Sequence, residues 1–188
     1  MSSARILKRT PIHSGRVFAF ERQQVLLPNG AETNLEIILH PGAAAILPLT
    51  GDGEILLLRQ YRHAAGGEIW EIPAGTRETD EEPLVCAQRE LREEAGVRAA
   101  EFLDLGVCLP LAAYSNERIH LFLARGLSAA TQSLDVDEVI SAIVALPVAK
   151  VAAMILSGEI LDAKTIIAFT RAQLAGELPA ISGLSESG

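Results

Sequence analysis

The chain has 188 residues, of which 49% are hydrophobic and 21% charged, and it carries a net charge of −8. High apolar content with modest charge excludes bulk disorder, and the acidic balance excludes a nucleic-acid-binding protein built on a basic stripe. No apolar run reaches the roughly 18 residues that a membrane-spanning helix needs, and the length suits one domain with a small appendage. The opening MSSARILKRT has no apolar stretch of its own, so no secretory leader is expected. Cys86 and Cys108 show neither metal-ligand nor disulfide-framework spacing. They are expected to be small buried hydrophobes in a cytoplasmic protein.

Residues 4–40 read as strands. Val17, Ala19 and the stretch 24–27 lead into Pro28-Asn29-Gly30, a strong turn signal, and Leu35, Ile37 and Leu39 alternate beyond it. Pro41-Gly42 closes this hairpin and marks the expected boundary between a first region, 1–41, and a second, 42–188. Two continuous apolar runs, 43–49 and 54–58, flank the turn Thr50-Gly51-Asp52-Gly53. They predict a second hairpin, buried on both faces because the runs do not alternate. A short extended piece, 68–72, stops at Pro73-Ala74-Gly75.

A helix is expected over 81–95. Thr79 and Glu82 have capping-box spacing, and Pro83 suits the first turn. Leu84, Ala87, Leu91 and Ala95 form the apolar row, and Gly96 follows where a left-handed terminator belongs. Strands follow at about 101–109 and 118–125, then a polar loop over 128–137, a strand over 140–146 ending at Pro147, and two helices at 148–157 and 163–175. The tail 182–188 is small and polar and is expected to fray. Strands, then a helix, then strands, then helices suggest an α/β sandwich with a mixed sheet.

Residues 75–97 hold seven acids against three bases, half of the net charge. Within them Glu90, Glu93 and Glu94 stand at i, i+3 and i+4, so a helix turns all three carboxylates toward one patch. Water and Arg89 would compensate their repulsion on a solvated face. A divalent cation would do so at a site, since hard ions take oxygen ligands.

The surrounding residues decide between these. Gly75, five residues, Glu81, seven residues, then Arg89-Glu90-Leu91-Arg92-Glu93-Glu94-Ala95-Gly96-Val97 fill every position of the Nudix box. Average residue frequencies put a chance match on the order of one in ten million, which displaces the solvated-face reading. The chain therefore resembles the Nudix hydrolases. Arg59-Gln60-Tyr61-Arg62, then Trp70-Glu71-Ile72-Pro73-Ala74-Gly75, Tyr114-Ser115-Asn116-Glu117 and the stretch 158–165 are similar to the ADP-ribose and nucleoside-diphosphate-sugar pyrophosphatases of that family. The likeness runs over about 16–175.

The resemblance implies a Nudix α/β/α sandwich with a mixed β-sheet over about 42–188, preceded by a small N-terminal antiparallel β subdomain that packs against a second subunit in a homodimer. It implies hydrolysis of ADP-ribose to AMP and ribose 5-phosphate, with Mg²⁺ as cofactor and Mn²⁺ as the alternative. Glu90 and Glu94 would be the principal carboxylate ligands, Glu93 would share or bridge, and the carbonyl of Ala74 would add a ligand. Arg89 would orient a glutamate, and Glu81 would be structural. The general base would come from the acidic loop, at Glu138, with Asp135 and Asp137 as the other acids there. Arg62 suits a substrate phosphate or a structural salt bridge. Arg59, Glu71 and Glu117 are the remaining substrate-binding candidates. Trp70 suits either a stacked base or the core. The four histidines (His13, His40, His63 and His120) have no ligand spacing.

One departure bears on the substrate. ADP-ribose pyrophosphatases of this branch carry a proline where this chain has Ala112, fifteen residues past Val97. That makes another nucleoside-diphosphate sugar, such as GDP-mannose, the alternative substrate. A non-catalytic Nudix-fold binding module is the minor alternative; the filled box, the length and the charge oppose it.

Overall fold

The computed structural model describes residues 3–181; the tail expected to fray, 182–188, lies outside them. The chain divides into two compact units, one of residues 1–42 with 109–118 and the other of 43–108 with 119–188. The first unit is not continuous in sequence. A segment from the middle of the chain, 109–118, belongs to it.

In the first unit, strands β1 (Arg5–Ser14), β2 (Ala19–Leu26) and β3 (Glu32–Leu39) form an antiparallel sheet in the order β1-β2-β3. The Pro28-Asn29-Gly30 turn closes as its composition predicts: Leu27 N–H donates to the Ala31 carbonyl at 2.8 Å, and Gly30 takes φ +83°. The segment 109–118 is tied to β3, with Ile38 N–H donating to the Tyr114 carbonyl at 2.8 Å.

The second unit contains β4 (Ala43–Pro48), β5 (Glu54–Arg62), β6 (Gly67–Glu71), β7 (Ala74–Thr76), α1 (Pro83–Ala95), β8 (Val97–Arg98), β9 (Glu101–Cys108), β10 (Ile119–Arg125), β11 (Ser128–Ala129), β12 (Ile140–Pro147), α2 (Val148–Ser157) and α3 (Ala163–Leu174). The turn after β4 forms, with Thr50 N–H donating to the Glu54 carbonyl at 2.8 Å. The hairpin expected around it does not. β4 lies in a mixed sheet of order β7-β4-β10-β9, while β5 lies in a separate sheet of order β12-β5-β6. Both edges of β4 are taken, by β10 in parallel and by β7 antiparallel, and both edges of β5 by β12 and β6. Just past β4, Leu49 makes an isolated bridge to Ile55. Continuous apolar runs signal burial on both faces, and both runs are buried accordingly, but such a run does not specify a partner.

Alternation along β4 builds two cores. Ala43, Ala45 and Leu47 join Leu121 and Leu123 of β10 against α2 and α3. Ala44 and Ile46 join Phe122 and Ala124 against α1. Helices on both faces of the β4–β10 sheet make the expected α/β/α sandwich. Both cysteines are buried, and neither forms a disulfide. Among the described residues no helix is long and apolar enough to cross a membrane.

The start of α1 differs from the expected capping box. The helix begins at Pro83, its N-cap is Glu82, and no side chain caps it. The tightening bond comes one residue earlier, from Glu78 N–H to Oε2 of Glu81 at 3.0 Å. The buried face carries Cys86, Ala87, Glu90, Leu91, Glu94 and Ala95, whereas Leu84 in the first turn is exposed. Gly96 ends the helix at φ +64°, its N–H on the Arg92 carbonyl, as its place in the sequence predicts.

Candidate active site

Glu90 and Glu94 are one helical turn apart on the buried face of α1, so both carboxylates point into the domain. The loop before β12 brings Glu138 to them, and one carboxylate oxygen from each of the three lies within 4.8 Å of the others. The amide of Ala74 on β7 donates to Oε2 of Glu94 at 2.7 Å. Oε1 of Glu94 is buried without a hydrogen-bond partner. A Cβ on Gly75 would fall 1.9 Å from Oε1 of Glu90, so only glycine lets that carboxylate lie against the backbone there.

Burial pushes the Glu90 carboxyl up to about 7, with Arg89 pulling against it and the charges of Glu138 and Glu93 adding to it. Burial likewise pushes Glu94 up to about 8, opposed by the Ala74 hydrogen bond and reinforced by Glu90 and Glu138. Two buried carboxylates facing a third are costly for the fold alone. The unpartnered Oε1 of Glu94 and the all-oxygen donor set fit a hard divalent cation.

Arg89 organises the rim. Its Nε and Nη2 donate to the two oxygens of Glu81 at 2.9 Å each, and its Nη1 donates to Oε1 of Glu90 at 2.5 Å and to Oε2 of Glu93 at 3.2 Å. The Arg89 fork holds the Glu81 carboxyl down at about 2. Glu93 stands outside the three-carboxylate cluster, paired with Arg89 and with Nη2 of Arg92 at 2.5 Å. Nη1 of Arg89 bridges it to Glu90. The third carboxylate of that cluster is Glu138.

The loop carrying Glu138 is anchored to the C-terminal end of α1. Nε2 of Gln132 donates to the Glu94 carbonyl at 2.7 Å, and Ser133 N–H donates to the Glu93 carbonyl at 3.1 Å. These carbonyls are among those a helix leaves unsatisfied at its end. Of the other acids in the loop, Asp135 donates its N–H to Oε2 of Glu138 at 2.9 Å, and Asp137 is exposed.

A second charged group lies in the same unit. Glu71 is 1% exposed, and its two oxygens accept from Nε of Arg62 at 2.6 Å and Nη2 of Arg62 at 3.1 Å. Nζ of Lys164 also donates to Glu71, and to Oδ1 of Asp162 at 3.0 Å. Glu71 therefore lies inside a cluster of its own, between Arg62 and Lys164. Both of its oxygens are engaged inside the chain. Arg59 lies over the Trp70 ring at 5.1 Å and 3.5 Å from Glu68, so the tryptophan packs partly in the core under a guanidinium. Glu117 belongs to the first unit, where its carboxylate lies 3.7 Å from Nδ1 of His40.

Sequence reasoning assigned no role to Lys164, Asp162, Thr165 or Gln132. Asp162 and Thr165 have N-cap spacing, and Asp162 does cap α3, accepting from Thr165 N–H at 3.0 Å. No local pattern signals the reach of Lys164 to Glu71, 93 residues away.

A model of the NUDIX domain matches residues 39–169. The chain belongs to the Nudix family of hydrolases. Within it, the chain is 37% identical over 170 residues to the methanol dehydrogenase activator of Bacillus methanolicus, covering 89% of this chain and 91% of that protein. It is 35% identical over 176 residues to the ADP-ribose pyrophosphatase of Bacillus subtilis, covering 93% and 95%. A crystal structure of an ADP compounds hydrolase matches with a TM-score of 0.80 at 20% identity, over 95% of this chain and 98% of that one, a likeness of fold.

Proposed function

We propose that the protein hydrolyses the pyrophosphate linkage of a nucleoside-diphosphate sugar, with ADP-ribose as the foremost substrate and AMP and ribose 5-phosphate as products. The observation that carries this reading is the convergence of Glu90, Glu94 and Glu138, with one buried oxygen of Glu94 left unpartnered. The similarity to an ADP-ribose pyrophosphatase across nearly the whole of both chains supports the substrate class.

Glu90 and Glu94 would hold Mg²⁺ or Mn²⁺, with the Ala74 carbonyl as a further donor and Glu93 in an outer, shared position. Such an ion supplies neutralisation of the phosphate charge that otherwise repels a nucleophile. The chain supplies the rest. Arg89 holds Glu90 and Glu93 in place through one guanidinium. Glu138, the least buried of the three carboxylates, takes the proton of the attacking water. Water oxygen bonds to one phosphorus, the bridging oxygen departs with the other, and the proton passes from Glu138 to solvent. Arg62 offers its outer edge to a substrate phosphate. Glu117 is assigned to the substrate on the family pattern alone.

Ala112, where the ADP-ribose branch carries proline, favours a second reading in which another sugar nucleotide such as GDP-mannose is preferred. We assign the protein to a homodimer, supported by β1, exposed along its whole length with Ile6 and Ile12 uncovered. The test is a panel of ADP-ribose, GDP-mannose, ADP-glucose, UDP-glucose and a nucleoside triphosphate with Mg²⁺, product chromatography, and Glu94→Gln as control. A kcat/KM lead for ADP-ribose is expected. A lead for another sugar nucleotide would select the second reading, and turnover by Glu94→Gln equal to wild type would remove the site assignment.

A further inference from the structure

Arg62 is held in an unusual way for a surface-reaching arginine. Its side chain is 41% exposed, yet Nε and Nη2 are both committed to Glu71, which is itself buried. Nη1 has no acceptor among the described residues, so one edge of the fork faces outward. Arg62 also lies close enough to the acidic cluster that its charge and that of Glu94 act on each other's ionisation. An arginine whose inner edge is fixed and whose outer edge is bare, beside a cation site, has the geometry of an anion holder.

What fixes the inner edge is the N-terminus of α3. Lys164 reaches back to Glu71, Asp162 holds the same ammonium at 3.0 Å, and Oγ1 of Thr165 accepts the Ile72 N–H at 3.0 Å. Asp162 caps the helix while doing so. The four side chains Arg62, Glu71, Lys164 and Asp162 balance in charge. Burial pulls the Lys164 amine down, but Asp162 and Glu71 outweigh it and raise it above its ordinary value. Two residues past Ile72, the same stretch of chain gives its Ala74 N–H to Glu94. One helix end therefore braces the segment that supports both the arginine and the first carboxylate of the site.

We propose that Lys164 is a positioning residue: acting through Glu71, it locks the Arg62 guanidinium so that its free edge meets a phosphate of a pyrophosphate-containing ligand. The proposal rests on the pyrophosphatase reading for the identity of that ligand. Without Lys164, Glu71 keeps a single cationic partner and Arg62 loses a fixed anchor. The fork then samples several orientations, and ordering it again on binding weakens affinity.

The test is calorimetric titration of the full chain, with Mg²⁺, using methylenebisphosphonate as an unhydrolysed pyrophosphate mimic. Wild type, Lys164→Met, Glu71→Gln and the double variant are compared, with thermal melts of each. Lys164→Met is expected to weaken binding about 10-fold, Glu71→Gln similarly, and the double variant no further than Glu71→Gln, because both act on one path. Unchanged Kd in Lys164→Met with a lowered Tm would overturn the proposal, showing a purely structural lysine. So would additive weakening in the double variant, or no binding of the mimic by wild type. Should Lys164→Met fail to fold, the volume-conserving Glu71→Gln decides, and an unchanged Kd there overturns the proposal equally. The substrate panel on wild type fails separately: intact binding of the mimic with no turnover would remove the catalytic reading and leave the brace standing.

Discussion

Glu71 and Glu94 are both 1% exposed and both lie in the second unit, yet their surroundings are opposite. Around Glu71 every oxygen has a cationic donor, and the charges of Arg62, Lys164 and Asp162 complete a neutral set. Around Glu94 one oxygen takes a backbone amide, the other has no partner, and two more carboxylates lie beside it. Burying a charge is tolerable when it is paired and hydrogen-bonded and expensive when it is not. The saturated carboxylate fits a scaffold, and the unsaturated one is where the proposed cation would bind.

The largest expected effect breaks the unsaturated side. Glu94→Gln should lower kcat/KM by about 10³-fold while leaving the far-ultraviolet spectrum intact, as loss of electrostatic stabilisation at a reacting centre does. Glu138→Gln should follow at about 10²-fold, in kcat more than in KM, if the residue moves a proton in the transition state. Steady-state kinetics separate the two outcomes, and an unchanged kcat would move the base to Asp135 or Asp137. Gly75→Ala sharpens the comparison differently. The new Cβ collides with the far end of a flexible side chain, so the fold should survive while Glu90 is displaced. About a 10-fold loss of Mg²⁺ affinity by titration is expected.

Acid–base behaviour tests the same imbalance. Without metal, Glu90 and Glu94 keep their protons to about 7 and about 8 in the folded chain, against 4.5 for an ordinary glutamate. The folded form thus binds more protons than the unfolded form between about 4.5 and 8, and stability falls as pH rises through that window. Melts in chelator from pH 5 to 9 should show Tm declining toward pH 8 and levelling beyond it. Added Mg²⁺ should recover most of the loss at the alkaline end; a Tm that rises with pH in chelator would contradict the assignment. The smallest effect belongs to Arg59, on the saturated side. Arg59→Ala should cost about 0.5–1 kcal/mol by denaturant unfolding, the worth of an exposed cation–π contact.

Much of α1 was legible in the sequence because helix geometry is local. Pro83 at the start, Gly96 at the end and the 90/94 spacing all act within a turn or two. The same spacing argument grouped Glu93 with Glu90 and Glu94, since all three are neighbours along the helix surface. It did not reveal that the packed face passes through Glu90 and Glu94, with Glu138 beside them, and leaves Glu93 paired with Arg89 and Arg92. The failed hairpin of β4 and β5 has a related cause. A tight turn is encoded by four residues, but the partners of the strands that leave it are chosen by sheet edges elsewhere, here β10 and β12.

The sequence by itself determined the family, the box helix with its C-terminal end, and the acidic patch, and it pointed to the loop expected to supply the general base. Those features rest on interactions that span a few residues, where spacing is geometry. Only the tertiary structure decided that Glu138 meets Glu94 and Glu90 across 44 and 48 residues, that Arg62 is clasped by Glu71, and that Lys164 closes the clasp from a helix near the end of the described chain. These contacts join segments whose order in the chain carries no distance. Their pairing was selected by the burial of β4 and β10 between helices, which brought the ends of those segments together and left one carboxylate oxygen without a partner.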